Sequence, residues 1–138
     1  MASFTDMNGL WSGWFRYSLL TDRVPFTAWI DDTASILTGS ILEPNTFSSA
    51  EIDDLQALVS GTRVGSAVTF IKTYVPGQAA HEHPISYSGQ VTDDFEHVAG
   101  TWSFSEAILG TGPFEMRRTS KGISEGILRD VMASVGAL

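Results

Sequence analysis

The sequence predicts an all-β chain, a single eight-stranded antiparallel up-and-down barrel followed by a C-terminal α-helix. Three observations lead there. Apolar and polar residues alternate with period 2 along most of the first 118 residues, as in Ile85, Tyr87 and Gly89 against Ser86, Ser88 and Gln90. About eight such runs follow one another with mostly short turns, and a meander of that number closes because closure removes both edge strands. A small residue followed by glycine recurs in five runs: Ser12-Gly13, Thr38-Gly39, Ser60-Gly61, Ser88-Gly89 and Ala99-Gly100. Glycine inside a strand permits the sharp coiling or close backbone approach that a barrel wall needs. An open sandwich is the alternative to closure.

The elements follow in order. Residues 9–18 form an aromatic-rich first strand, 25–31 the second, stopped by Asp31-Asp32, and 35–44 the third. Ser48 and Glu51 fit a capping box, so one helical turn is expected within 45–54. Residues 55–63 and 66–74 are the fourth and fifth strands, and 76–84 a long loop. The stretch from Ile85 to Phe104 is a hairpin around an acidic turn, Thr92 to Glu96, and 112–118 is the eighth strand. The paired acids Asp31-Asp32, Asp53-Asp54 and Asp93-Asp94 read as solvated turn residues. The period then changes: Ile123, Ile127, Leu128, Val131, Met132 and Val135 recur at helical spacing. The chain thus divides into a barrel, 1–118, and an amphipathic helix, 119–138, packed on the barrel or on a partner. Gly122 and Gly126 each weaken that helix by about 1 kcal/mol relative to Ala, so it depends on docking.

Composition excludes several function classes. A net charge of −8, with the few basic residues scattered, disfavours nucleic acid and anionic membrane surfaces. The absence of cysteine removes disulfides and thiolate metal sites. No apolar run reaches the roughly 20 residues that span a bilayer, and MASFTDMNGLW lacks the features of a signal peptide, so a cytoplasmic protein is expected.

Gly9-Leu10-Trp11 resembles the Gly-x-Trp opening of calycin barrels, the group that includes lipocalins and avidins. Leu37-Thr38-Gly39-Ser40, Tyr87-Ser88-Gly89-Gln90 and Gly100-Thr101-Trp102 resemble, in order, strands of the avidin and streptavidin family. The resemblance covers roughly residues 9 to 116 and implies a barrel that binds biotin. Trp102 and Tyr87 stand at the family's aromatic wall positions. The positions of the polar residues that read biotin fall on Gly13, Tyr17, Ile41 and Glu43, and the late Asp and the neighbouring-subunit Trp have no counterpart. Biotin is therefore not the expected ligand.

The avidin-like register turns Trp11, Gly13, Phe15, Tyr17, Ile41 and Glu43 inward, then Thr69, Ile71, Thr73, His83, Ile85, Tyr87 and Trp102. The candidate ligand-binding residues are Trp11, Phe15, Tyr17, Ile41, Glu43, His83, Tyr87 and Trp102, around a small apolar or aromatic ligand. Two other readings stand beside this one. Glu43, His83 and Tyr17 are the parts of an acid–base centre, as in a small cyclase or isomerase. A filled barrel would leave a purely structural or interaction protein. His81-Glu82-His83 offers two imidazoles and no placed third ligand, so neither a metal nor any other cofactor is expected. Trp14, Val59 and Phe104 are expected to face outward, and with the helix they predict a homodimer or higher homo-oligomer.

Overall fold

The computed structural model describes residues 4–18, 20–44, 54–76, 83–104 and 110–119. The helical turn expected at 48–51, His81, Glu82 and the helix expected after residue 119 lie outside these. The strands are β1 (Gly9–Phe15), β2 (Val24–Thr33), β3 (Ile36–Pro44), β4 (Asp54–Val64), β5 (Ala67–Tyr74), β6 (Ile85–Val91), β7 (His97–Phe104) and β8 (Thr111–Arg118). Each pairs antiparallel with the next, and β8 returns to β1, so the sheet is a closed up-and-down barrel. The first strand is shorter than the sequence suggests, ending at Phe15 rather than at Ser18.

Alternation places the core. Trp11 and Phe15 of β1, Phe26, Ala28 and Ile30 of β2, and Leu37 and Ile41 of β3 are all buried. The glycine repeat does what the sequence implied. A Cβ on Gly39 would lie 1.9 Å from the Trp29 carbonyl oxygen, and one on Gly100 would lie 2.0 Å from that of Ser88. Neighbouring backbones approach too closely there for any side chain.

β5 is reversed relative to the expected register. Val68, Phe70, Lys72 and Tyr74 are buried, while Thr69, Ile71 and Thr73 face solvent. A period-2 strand flips every side chain when its phase is read one residue off. Val59 likewise points inward, and Phe104 packs against the core, so neither belongs to the outer wall. Trp14 does face outward, half-buried beneath the guanidinium of Arg23 at 4.3 Å.

The two ends differ. One end carries the tight turns β2–β3, β4–β5 and β6–β7 and is closed by residues 4–8. Met7 is fully buried there, and the Trp11 indole donates to its carbonyl at 3.0 Å. Asp32 is not a solvated turn residue. Its carboxylate is buried and accepts from the backbone N–H of Met7 (3.0 Å), that of Ser35 (3.0 Å) and Nε of Arg63 (3.1 Å). Arg118 stacks 3.8 Å over Phe4, lies 4.7 Å from the Trp11 ring, and donates to the carbonyls of Asp6, Asn8 and Phe95. Asp94, by contrast, is an exposed turn residue held below the usual carboxylate range by the hydroxyl of Thr92 and the N–H of Glu96.

The other end is the mouth. The strands β1, β3, β5 and β7 end there, and β2, β4, β6 and β8 begin there. The mouths of β-barrels are among the places where small-molecule sites preferentially occur.

Candidate functional site

The mouth is built from strand ends that alternate inward. β1 contributes Phe15, β5 Lys72 and Tyr74, β6 Ile85 and Tyr87, and β7 Trp102 and Phe104, with Tyr17 just past the end of β1. Phe15, Tyr17, Trp102 and Phe104 meet edge to face: Phe15 to Tyr17 at 5.5 Å, Tyr17 to Trp102 at 6.3 Å, Trp102 to Phe104 at 5.7 Å. The Trp102 indole donates to the Arg16 carbonyl at 2.7 Å, and the Arg16 N–H donates to the Pro113 carbonyl at 3.1 Å. These bonds fasten the start of the β1–β2 connection over the mouth. They leave Tyr17 37% exposed.

Beneath the rings lies a buried ion pair. Lys72 Nζ donates to Glu43 Oε1 at 2.7 Å, and the Tyr74 hydroxyl donates to Glu43 Oε2 at 3.0 Å. Both charged side chains are out of reach of solvent. The ammonium also lies 4.7 Å from the ring centre of Phe15, 4.8 Å from that of Tyr74 and 5.4 Å from that of Tyr87. Cation–π attraction gains strength when the cation is desolvated.

Burial opposes the charge on Lys72, but Tyr87, Glu43 and Tyr74 outweigh it and raise its pKa well above the usual lysine value. Burial raises both phenols, with Lys72 pulling the other way. All three groups therefore hold their protons to higher pH in the barrel than in the unfolded chain. Below the unfolded values, at about pH 10, this contribution to stability is complete. Above that pH the unfolded chain releases protons that the barrel keeps, and stability falls by up to about 1.4 kcal/mol per pH unit for each group. Alkaline unfolding is thus expected to be steep, with tyrosinate absorbance from Tyr74 and Tyr87 appearing together with unfolding. Ionisation of more than one of the three tyrosines while circular dichroism still reports a folded barrel would contradict this.

The structure brings some sequence-predicted residues together and separates others. Phe15, Tyr17, Tyr87 and Trp102 share the mouth, and Glu43 supplies its floor through Lys72 and Tyr74. Trp11 sits at the closed end, under Arg118 and bonded to Met7. Ile41 is buried midway along β3, opposite Ala28 and Ala57. His83 is exposed ahead of β6, with its ring 6.3 Å from Phe104. The two carboxylate oxygens of Glu43 are engaged by Lys72 and Tyr74, so the expected grouping of Glu43 with His83 and Tyr17 is replaced by a different one.

Sequence reasoning missed Lys72 and Tyr74, although a signal was present. Val68, Phe70 and Tyr74 share one phase of β5, and Lys72 stands in that phase. A lysine in step with three large apolar residues is a buried lysine in need of a partner. The void among the mouth residues is only about 10 Å³, close to the space one water needs. Compared with protein-family models, with curated proteins and with solved structures, the chain matches none.

Proposed function

We propose that the mouth of the barrel binds one small, neutral apolar or aromatic ligand. Phe15, Tyr17, Trp102 and Phe104 form its walls, and the Lys72–Glu43–Tyr74 network its polar floor. The observation that carries this reading is the buried ion pair beneath an aromatic mouth. A barrel serving only as a scaffold gains as much or more from apolar residues of the same volume. The pair is already balanced, so a ligand bringing a net charge would enter it uncompensated. A neutral head that donates to Glu43 or accepts from Lys72 fits better. The void of about 10 Å³ means that binding has to make room. Tyr17, outside the strands and partly exposed, is the ring placed to swing away.

Titration with 2-naphthol, indole and 2-naphthoate, followed by tryptophan emission, tests this. Trp102 is the mouth's own reporter. Tyr17→Ala is expected to bind the neutral probes at least tenfold more tightly than the parent chain, and 2-naphthoate more weakly than 2-naphthol. Unchanged emission in both proteins at millimolar probe would sink the proposal. The small void favours a second reading, a filled barrel that acts through its outer surface, and that outcome would leave it standing.

A further inference from the structure

Positive charge is scarce in this chain, yet three arginines distant in sequence meet at one spot on the outer wall. Trp14 points outward from β1, paired with Pro25 of β2 and Glu115 of β8. The Arg23 guanidinium lies over its ring at 4.3 Å, and that of Arg16 lies 5.5 Å from the ring centre. Arg117, paired with Ser12, is the diagonal neighbour of Trp14 on β8. Among the described residues neither Arg16 nor Arg23 has a carboxylate within ion-pair distance, Asp22 beside Arg23 in the chain included. Arg16 Nε is buried with no hydrogen-bond partner among those residues. Glu115, the acid facing this spot, is already engaged by Arg117 at 3.3 Å and by the His97 ring at 2.6 Å. A groove of about 440 Å³ lies between Trp14, Arg23 and Arg117, a volume within the range of small-molecule sites.

We propose that this groove binds a phosphoryl dianion, free or carried by a small monoester. The two arginines without acid partners supply two positive charges, which a dianion matches and a single carboxylate does not. A guanidinium lying over an aromatic ring keeps its N–H edge free for paired hydrogen bonds to an oxyanion, and the ring holds it in place. The partnerless Arg16 Nε is a buried donor whose cost an incoming acceptor offsets. Glu115 would repel the ligand if it stood alone, but its charge is shared between Arg117 and His97. The net charge of −8 on the whole chain repels an extended polyanion, whereas a single phosphoryl group meets mainly the local arginines. The groove is wider than a phosphate ion needs, which leaves room for an organic body beside Trp14. The inference is independent of the mouth, since Trp14 stands on the outer wall and Trp102 at the mouth.

Titration of the isotope-labelled full chain with phenyl phosphate, inorganic phosphate and benzoate, followed by the arginine Nε–H and tryptophan indole resonances, tests it. Phenyl phosphate is expected to shift the signals of Arg16, Arg23 and Trp14 saturably and to leave Trp102 unmoved. Benzoate, with one charge fewer, is expected to bind about tenfold more weakly. Arg23→Gln is expected to weaken phenyl phosphate by about tenfold or more, with an unchanged circular dichroism spectrum. Arg23→Lys is expected to recover little of that loss, because an ammonium lacks the planar fork. Glu115→Gln is expected to tighten binding, since it removes the facing carboxylate and releases Arg117. Inorganic phosphate binding as tightly as the phenyl ester would assign the site to free phosphate; weaker binding would assign it to a monoester. No saturable shift at millimolar phenyl phosphate overturns the inference. So does binding that Arg23→Gln leaves unchanged, that benzoate equals, or that moves Trp102 in place of Trp14.

Discussion

Replacing Lys72 with methionine is expected to destabilise the barrel by about 3–5 kcal/mol, the cost of leaving one partner of a buried ion pair uncompensated. Methionine fills a similar volume, so a cavity contributes little. What remains is Glu43, out of reach of solvent and hydrogen-bonded to Tyr74 alone among the bonds described above. For a domain of this size the change corresponds to a fall in Tm of roughly 10–20 °C. The double variant Lys72→Met/Glu43→Leu is expected to recover most of the loss, because it removes both charges together. Urea unfolding followed by tryptophan emission measures both. A Lys72→Met variant within 1 kcal/mol of the parent would mean that the pair is not held as described. The double variant also bears on function. If it is as stable as the parent but no longer binds neutral aromatic probes, the ion pair serves the site rather than the fold.

Much of the fold was legible because it rests on local, periodic signals. The hairpin from Ile85 to Phe104 follows the expected alternation, and Tyr87 stands opposite Trp102 in the register. The glycine pairs marked the close approaches. What was not legible depended on contacts between residues far apart in the chain. Asp32 stands beside a turn, and only the return of residues 4–8 and the reach of Arg63 across the barrel end turn it into a buried acceptor. Lys72 and Glu43 are 29 residues apart, and nothing local pairs them. β5 was misread for a different reason. Its apolar residues fall on both phases, with Ile71 opposing Val68, Phe70 and Tyr74, and the borrowed register selected the phase with fewer of them. Tyr17 was expected to turn inward from the first strand, but that strand ends at Phe15 and the loop carries Tyr17 to Trp102.

Gly61→Ala is expected to cost about 3 kcal/mol, while Gly65→Ala, four residues further along the chain, is expected to cost about 1 kcal/mol. The two glycines answer to different physics. A Cβ on Gly61 would lie 2.1 Å from the Thr69 carbonyl oxygen and 2.5 Å from the Phe70 Cα, both backbone atoms of the neighbouring strand. No rotamer change can relieve that contact. Either the pairing of Gly61 with Phe70 opens or the strands separate locally, and Phe70, stacked at 4.8 Å on Tyr87, shifts with them. Gly65 lies in the β4–β5 turn at φ +60°, with nothing within 4 Å of where a Cβ would go, so alanine there meets only the left-handed backbone strain. Asparagine, which tolerates that conformation, is expected to recover part of the cost at position 65 and none at position 61. Equilibrium urea unfolding of the four variants separates the effects. Gly61→Ala is further expected to perturb the near-ultraviolet signal of the Phe70–Tyr87 stack, which Gly65→Ala should leave intact. Equal costs at the two positions would mean that close approach is not what the recurring glycines provide, and the five-fold repeat would lose its physical basis as the device that coils the barrel wall.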